Sequence, residues 1–382
     1  MGITDFLRKK REESYVDYSL IFIILFLLAF GLVMLYSTSS YEAGLDFGDS
    51  SYYFRHQLFP TLLGLVAMIG MSYFPYKILA RLAMPAYIVA ATMLLMIIPF
   101  GRTINGAKRW IFIMGVSIQP AEVAKVATIV FTATIIIKLN RSLVTPKGFM
   151  AAMLFPAILA AMVYGITRNL SSAIIIMGIT VIMLFVSTPG YKRYILFASA
   201  VLAMVAVLVI IIANSEQTSG MNYRFERVLA WLDPVAHASG KGFQTLQALY
   251  AIGSGGVFGK GLGESMQKMG FIPEAQNDMI FSIICEELGL FGAIAVMLMF
   301  LLMIWRLMII ANNAPDMFGA LLVVGVMAHI AIQVILNIAV VTNTIPNTGI
   351  TLPFISYGGS AVIIQLAEMG ITLNVARNIG RD

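Results

Sequence analysis

The chain is a succession of apolar runs, each close to the roughly 20 residues that a helix needs to cross a bilayer. Backbone inside hydrocarbon must satisfy its own hydrogen bonds, which favours helices for runs of this length. Ten runs are readable, at 18–37, 57–74, 79–99, 119–139, 149–165, 169–187, 193–213, 277–304, 317–341 and 356–376. They predict an all-α, polytopic integral membrane protein of about ten transmembrane helices. A single membrane domain over 1–382 is expected, with a tail at 1–17 and a large loop at 214–276 between helices 7 and 8. That loop is too rich in glycine and polar residues to cross. Composition agrees: 59% of the residues are hydrophobic and 12% charged, against about a quarter charged in a soluble domain.

Charge placement gives an orientation. Lys77, Arg81, Lys138, Arg141, Lys147, Lys192, Arg193 and Arg306 all fall in or beside short loops on one side. Positive residues near span ends mark the cytoplasmic side, so both chain ends are expected there. The first apolar run is too long for a signal-peptide core and reads as an uncleaved span. The remaining cations gather mainly at 100–118 and 214–276, on the extracytoplasmic side. Singly they read as solvated loop charges; as a group they suit an anionic ligand such as phosphate. The basic residues form no stripe, which removes support for nucleic-acid binding. Cys285 has no second cysteine to pair with and offers no cysteine-based metal site.

Several polar residues lie inside the spans, where they are costly and need partners. Glu122 and Lys125, at i and i+3, share a helix face and can pair. A structural ion pair and a cavity-lining role both fit them. His329, Gln333 and Asn337 form one stripe that interhelical hydrogen bonding explains, with Gln365 and Glu368 as available partners. In the long loop, Arg224 and Arg227 are three apart, as are Gln244 and Gln247. GSGGVFGKGLG (253–263) lacks the order of a nucleotide phosphate loop; its glycines suit turns and close backbone approach.

The segment GFIPEAQNDMIFSIICEELG (270–289) carries Glu274, Asp278, Glu286 and Glu287 at the start of the eighth span. If a helix began near Pro273 or Asn277, Glu286 would lie about 12 Å deeper than Asp278 and about 80° around the axis. Glu287 would be nearly opposite Asp278. The four acids then serve separate roles. Glu274 and Asp278 fit helix-start acids, and Asp278 also fits a general base at the membrane edge below a basic loop.

Longer motifs point further. NGAKRWI (105–111), QPAEVAK (119–125), LDP (232–234), YAIGSGGVFGKGLGES (250–265), IPEAQNDMIF (272–281), EELG (286–289) and NTGITLPFISYGGS (347–360) resemble the SEDS family, the RodA and FtsW group. The likeness runs along essentially the whole chain, and NGAKRW is more similar to the division-type FtsW branch. It implies a peptidoglycan glycosyltransferase that polymerises lipid II at the outer face of the cytoplasmic membrane with a class B penicillin-binding protein. The family's essential aspartate matches Asp278. Gln276, Asn277 and Met279 stand where the family usually has His, Thr and Phe, and Asn343 or Thr344 where it has glycine.

By the same resemblance, the pyrophosphate of the substrate would meet Lys108, Arg109, Arg224, Arg227 and Lys268, with a divalent cation (Mg or Mn) as a further source of charge. Glu122 and Lys125 would shape the cavity floor. Trp110, Gln244, Gln247, Glu274, Gln276, Ser356 and Tyr357 complete the implied substrate-binding set. A lipid II flippase and a divisome scaffold are the alternative functions.

Overall fold

The structure, a computed structural model, describes residues 16–104, 107–113, 116–213, 223–240 and 242–379. Ten long helices occupy the places of the ten predicted spans. They are α1 (Tyr18–Phe47), α2 (Tyr52–Tyr73), α3 (Leu79–Phe100), α4 (Pro120–Leu139), α5 (Pro146–Thr167), α6 (Leu170–Ser187) and α7 (Lys192–Ala213), then α10 (Ile280–Asn312), α11 (Met317–Val341) and α12 (Gly359–Arg377). Nine of them are long and apolar enough to cross a membrane. The tenth, α2, is long enough, but Arg55, His56 and Gln57 near its start lower its hydropathy. It is nonetheless bound closely to α12. A Cβ on Gly370 would lie 2.4 Å from the Met68 carbonyl oxygen, and one on Gly64 would meet Leu366 at 2.6 Å. Small residues let the two backbones approach.

The helix starts follow capping chemistry. Asp17 caps α1 by accepting from the Leu20 N–H at 2.9 Å and also takes Arg306 at 2.6 Å. Thr145 caps α5 ahead of Pro146, and Asp316 caps α11. The core sits on α4, α6 and α11, whose facing residues Ala124, Ile129, Ile176, Met183, Leu322 and Val326 are almost fully buried. By contrast, α7 presents nearly all its described side chains outward.

The structure departs from the expectation in two places. The segment after α3 is a three-stranded antiparallel sheet, β1 (Arg102–Ile104), β2 (Ala107–Ile113) and β3 (Val116–Ile118), added to an otherwise helical fold. The long segment between α7 and α10 holds two further helices, α8 (Tyr223–Leu232) and α9 (Gly242–Gly255), and a run of glycine turns. The basic loops share one end of the bundle, tied by the Arg306–Asp17 pair, by Asn374 accepting from the Tyr76 N–H, and by Arg377 over Tyr73. The sheet, α8, α9 and the 342–358 loop occupy the other end.

Candidate functional site

The helix expected from Pro273 or Asn277 does not form. Residues 270–279 make a chain of turns, and α10 begins only at Ile280. Glu274 adopts a left-handed backbone with φ 52°, which interrupts a helix there. Asp278 therefore sits on a turn at the mouth of the bundle rather than on a helical face.

That turn is fixed from several sides. Asn337, at the end of α11, donates through Nδ2 to the Asp278 carbonyl at 2.8 Å and to the Ile350 carbonyl at 2.7 Å. One side chain thus clamps the 270–279 turn to the 342–358 loop. Gln244 on α9 donates to the Pro273 carbonyl at 3.1 Å and accepts from Asn347 at 3.0 Å. Arg227 on α8 donates to the Asn347 carbonyl at 3.0 Å. Tyr357 N–H donates to the Gln276 carbonyl at 2.9 Å. Gly349, with φ 69°, lies against the acid: a Cβ there would stand 3.8 Å from Asp278 Oδ2.

Asp278 is half-buried. Burial pushes its pKa up to about 6; Glu274 repulsion adds to this, while its own backbone N–H and nearby Arg227 oppose it. Such a carboxylate is a stronger base than an exposed one and is ionised at neutral pH.

The two glutamates of the same sequence segment have a different environment. Glu286 accepts from Lys260 Nζ at 2.6 Å, from Ser265 Oγ, and from the Met266 and Gln267 N–H groups at 3.3 Å. Glu287 accepts from Ser37 Oγ at 2.7 Å and from Lys268 Nζ at 2.8 Å. Between these acids and the rest of α10, Gly289 breaks the helix with φ 66° and ψ −165°. The opened backbone pairs with the glycine run: Lys260 and Gly261 N–H donate to the Glu286 and Glu287 carbonyls at 2.9 Å, and Leu290 N–H to the Gly256 carbonyl at 2.9 Å. A Cβ on Gly289 would lie 2.3 Å from the Gly259 nitrogen, so the strands meet only because both residues lack one. The glycines of 253–263 thus serve the close approach expected of them.

The expected site residues separate accordingly. Asp278, Glu274, Gln276, Arg227, Gln244 and Tyr357 come together around the turn. Gln276 reaches toward Glu42 and leaves its buried Oε1 without a partner among the described residues. Gln247 lies half-buried one turn beyond Gln244. Ser356 accepts from the Leu352 N–H at 2.8 Å and shapes the loop. Glu122 and Lys125 form the expected pair at 2.7 Å, both buried on α4. Lys268 corrects the expectation of a ligand-facing cation: it is buried, and its ammonium is directed to Glu287, Ser37 and the Gly263 carbonyl. Lys108 and Arg109 reach helix-end carbonyls, Ile98 at 2.7 Å and Thr167 at 3.2 Å, and Trp110 is half-buried beside them on β2. The Arg224 side chain lies outside the described residues. Among the described residues no group of three or more His, Cys, Asp and Glu side chains converges to hold a metal.

Asn337, Asn347 and Gly349 were not among the expected site residues. Asn337 fell within the polar stripe read as interhelical bonding, and its partners are indeed main-chain groups of another segment. The other two lie in the recognised NTG motif, where only the motif itself marked them.

The fold and site define a class: a polytopic helical membrane protein with a raised-pKa carboxylate at one mouth of its bundle. The family model described as cell cycle protein, FtsW/RodA/SpoVE, matches residues 18–380, and the chain belongs to that family. It is 37% identical to stage V sporulation protein E of Bacillus subtilis over 96% of this chain and 98% of that protein. To the probable peptidoglycan glycosyltransferase FtsW of Trichlorobacter lovleyi it is 36% identical, over 98% of this chain and 97% of that one. Among solved structures, a chain of a peptidoglycan synthase complex that coordinates polymerization and crosslinking superposes with a TM-score of 0.76 at 27% identity, covering 96% of this chain and 99% of that chain. The rod shape determining protein RodA of Thermus thermophilus shares the fold, with a TM-score of 0.66 at 24% identity, 96% of this chain and 98% of that chain being covered.

Proposed function

We propose that this protein is a peptidoglycan glycosyltransferase that polymerises lipid II with inversion, using Asp278 as general base. The observation that carries the reading is the Asp278 carboxyl itself: half-buried, raised to about 6, and held on a clamped turn beside Arg227. Asp278 takes the proton from the 4-hydroxyl of an acceptor GlcNAc. The freed oxygen attacks C1 of a MurNAc linked to lipid pyrophosphate, the C1–O bond breaks, and the lipid pyrophosphate leaves with the bonding pair. General-base assistance of this kind is worth about 10²–10⁴-fold.

Negative charge grows on the leaving pyrophosphate, and cations placed there in advance lower the barrier. Arg227 acts electrostatically on the base; Lys108 and Arg109 lie at the same end of the bundle. Lys268 is left out of this step because it serves Glu287. No step is routed through a metal ion.

The positive residues of the short loops support a cytoplasmic position for the opposite end and for both chain ends; Asp278 then faces the outer leaflet and its lipid-linked substrate. The likeness to a chain of a peptidoglycan synthase complex supports a partner that crosslinks strands, a class B penicillin-binding protein. The test is glycan-strand formation from purified lipid II in detergent, by the unaltered protein and by Asp278→Ala, with and without that partner. Strands from the former and none from the latter are expected. Lipid II translocation in vesicles with no strands under any condition would move the function to a flippase.

A further inference from the structure

At the basic end of the bundle, remote from Asp278, a groove of about 660 Å³ opens between α3, α4 and α5. Its wall is apolar, formed by Ala83, Met84, Phe131, Ile135 and Phe155, and its mouth carries Lys77, Arg81 and Lys138. Met84 is 48% and Ile137 41% exposed, so the groove faces outward, toward lipid, rather than into the core. Lys77 is partly matched by Asp316 at 3.6 Å. Arg81 and Lys138 are exposed, and neither has a hydrogen-bond or ion-pair partner among the described residues.

We propose that this groove binds an anionic membrane phospholipid, with the phosphate on Arg81 and Lys138 and an acyl chain along the apolar wall. Any groove facing a bilayer fills with hydrocarbon, so the apolar wall alone selects nothing. The three cations against one acid at the mouth are what select a negative headgroup. A neighbouring groove supplies the contrast. It has about 440 Å³ between α5, α6 and α7, and its one cation is Arg193. That guanidinium lies over the Phe149 and Tyr194 rings at 5.5 and 5.6 Å and donates to the Pro189 carbonyl at 3.1 Å. It is held by protein, whereas Arg81 and Lys138 are open. The occupant is a lipid of the leaflet on this side, because the sugar-transfer site is at the other end of the helices.

The test is native mass spectrometry of the full-length protein in detergent, titrated with phosphatidylglycerol or phosphatidylcholine at equal concentration. The unaltered protein should retain phosphatidylglycerol about thirtyfold better, as expected for two interfacial cations. The double variant Arg81→Ala, Lys138→Ala should bind both lipids equally, and Arg193→Ala should keep the preference. Equal retention by the unaltered protein, or a preference intact in the double variant, overturns the proposal. The single exposed change Lys138→Gln gives a second reading if the double variant does not fold: it must reduce the preference several-fold, and an unchanged preference is again contrary.

Discussion

Asp278 and Glu287 belong to one short segment at the start of α10, and their surroundings are opposite. Glu287 is fully buried and saturated by Ser37 and by Lys268, which returns a full positive charge. Asp278 is only half-buried, has no ion pair as close as that one among the described residues, and has its backbone rather than its carboxyl clamped by Asn337. A buried charge needs its partner to be tolerated at all. A carboxyl whose backbone is held, and whose charge no such ion pair neutralises, is fit to take a proton. The comparison separates an acid that supports the loop from the one proposed to do chemistry.

The contrast can be broken in order of expected effect. Asp278→Asn should lower strand formation about 10²–10⁴-fold, the usual worth of a general base, read from lipid II polymerisation. Glu287→Gln should leave Lys268 buried and unpaired, costing about 3–5 kcal/mol by thermal or denaturant unfolding in detergent. Its activity per folded molecule should survive. Gly289→Ala should cost about 2 kcal/mol or more, since a side chain there is strained at positive φ and collides with Gly259. Below pH 6 the polymerisation rate should fall about tenfold per pH unit as Asp278 becomes protonated, measured as a pH–rate profile. Gly349→Ala, strained at φ 69° but only in ordinary contact with Asp278, should cost about 1 kcal/mol.

Much of this was legible in the residues. Apolar runs mark the spans because hydrocarbon allows little else, the Glu122–Lys125 pair follows from helical spacing, and Glu368, named as an available partner for the polar stripe, does meet His329. The sheet over 102–118 was not legible, since short strands next to a long apolar helix leave no strong period. The start of α10 was also misplaced. Pro273, Glu274 and Asp278 suit a helix start, but tertiary clamps by Asn337 and Gln244 hold 270–279 as turns instead. Lys268 looked like a free loop cation because its partner, Glu287, becomes its neighbour only when the glycine run pairs with the break at Gly289. Asn343, one of the two residues that the resemblance sets against a glycine, takes φ 55°; asparagine tolerates that region better than most residues. The motif resemblance chose Asp278 among four acids, and the geometry then explained why that one differs.

The most direct test crosses Asp278→Asn with Glu287→Gln, measuring strand formation and unfolding on both proteins. Asp278 has a raised pKa, so folding favours its neutral form: stability is full below the ordinary carboxylate pKa and is lost as pH rises through about 6. At pH 7, Asp278→Asn should therefore unfold no more easily than the unaltered protein, and make strands about 10²–10⁴-fold more slowly. Glu287→Gln should unfold sooner and still make strands where it is folded. Strand formation by folded Asp278→Asn at the rate of the unaltered protein would contradict the account.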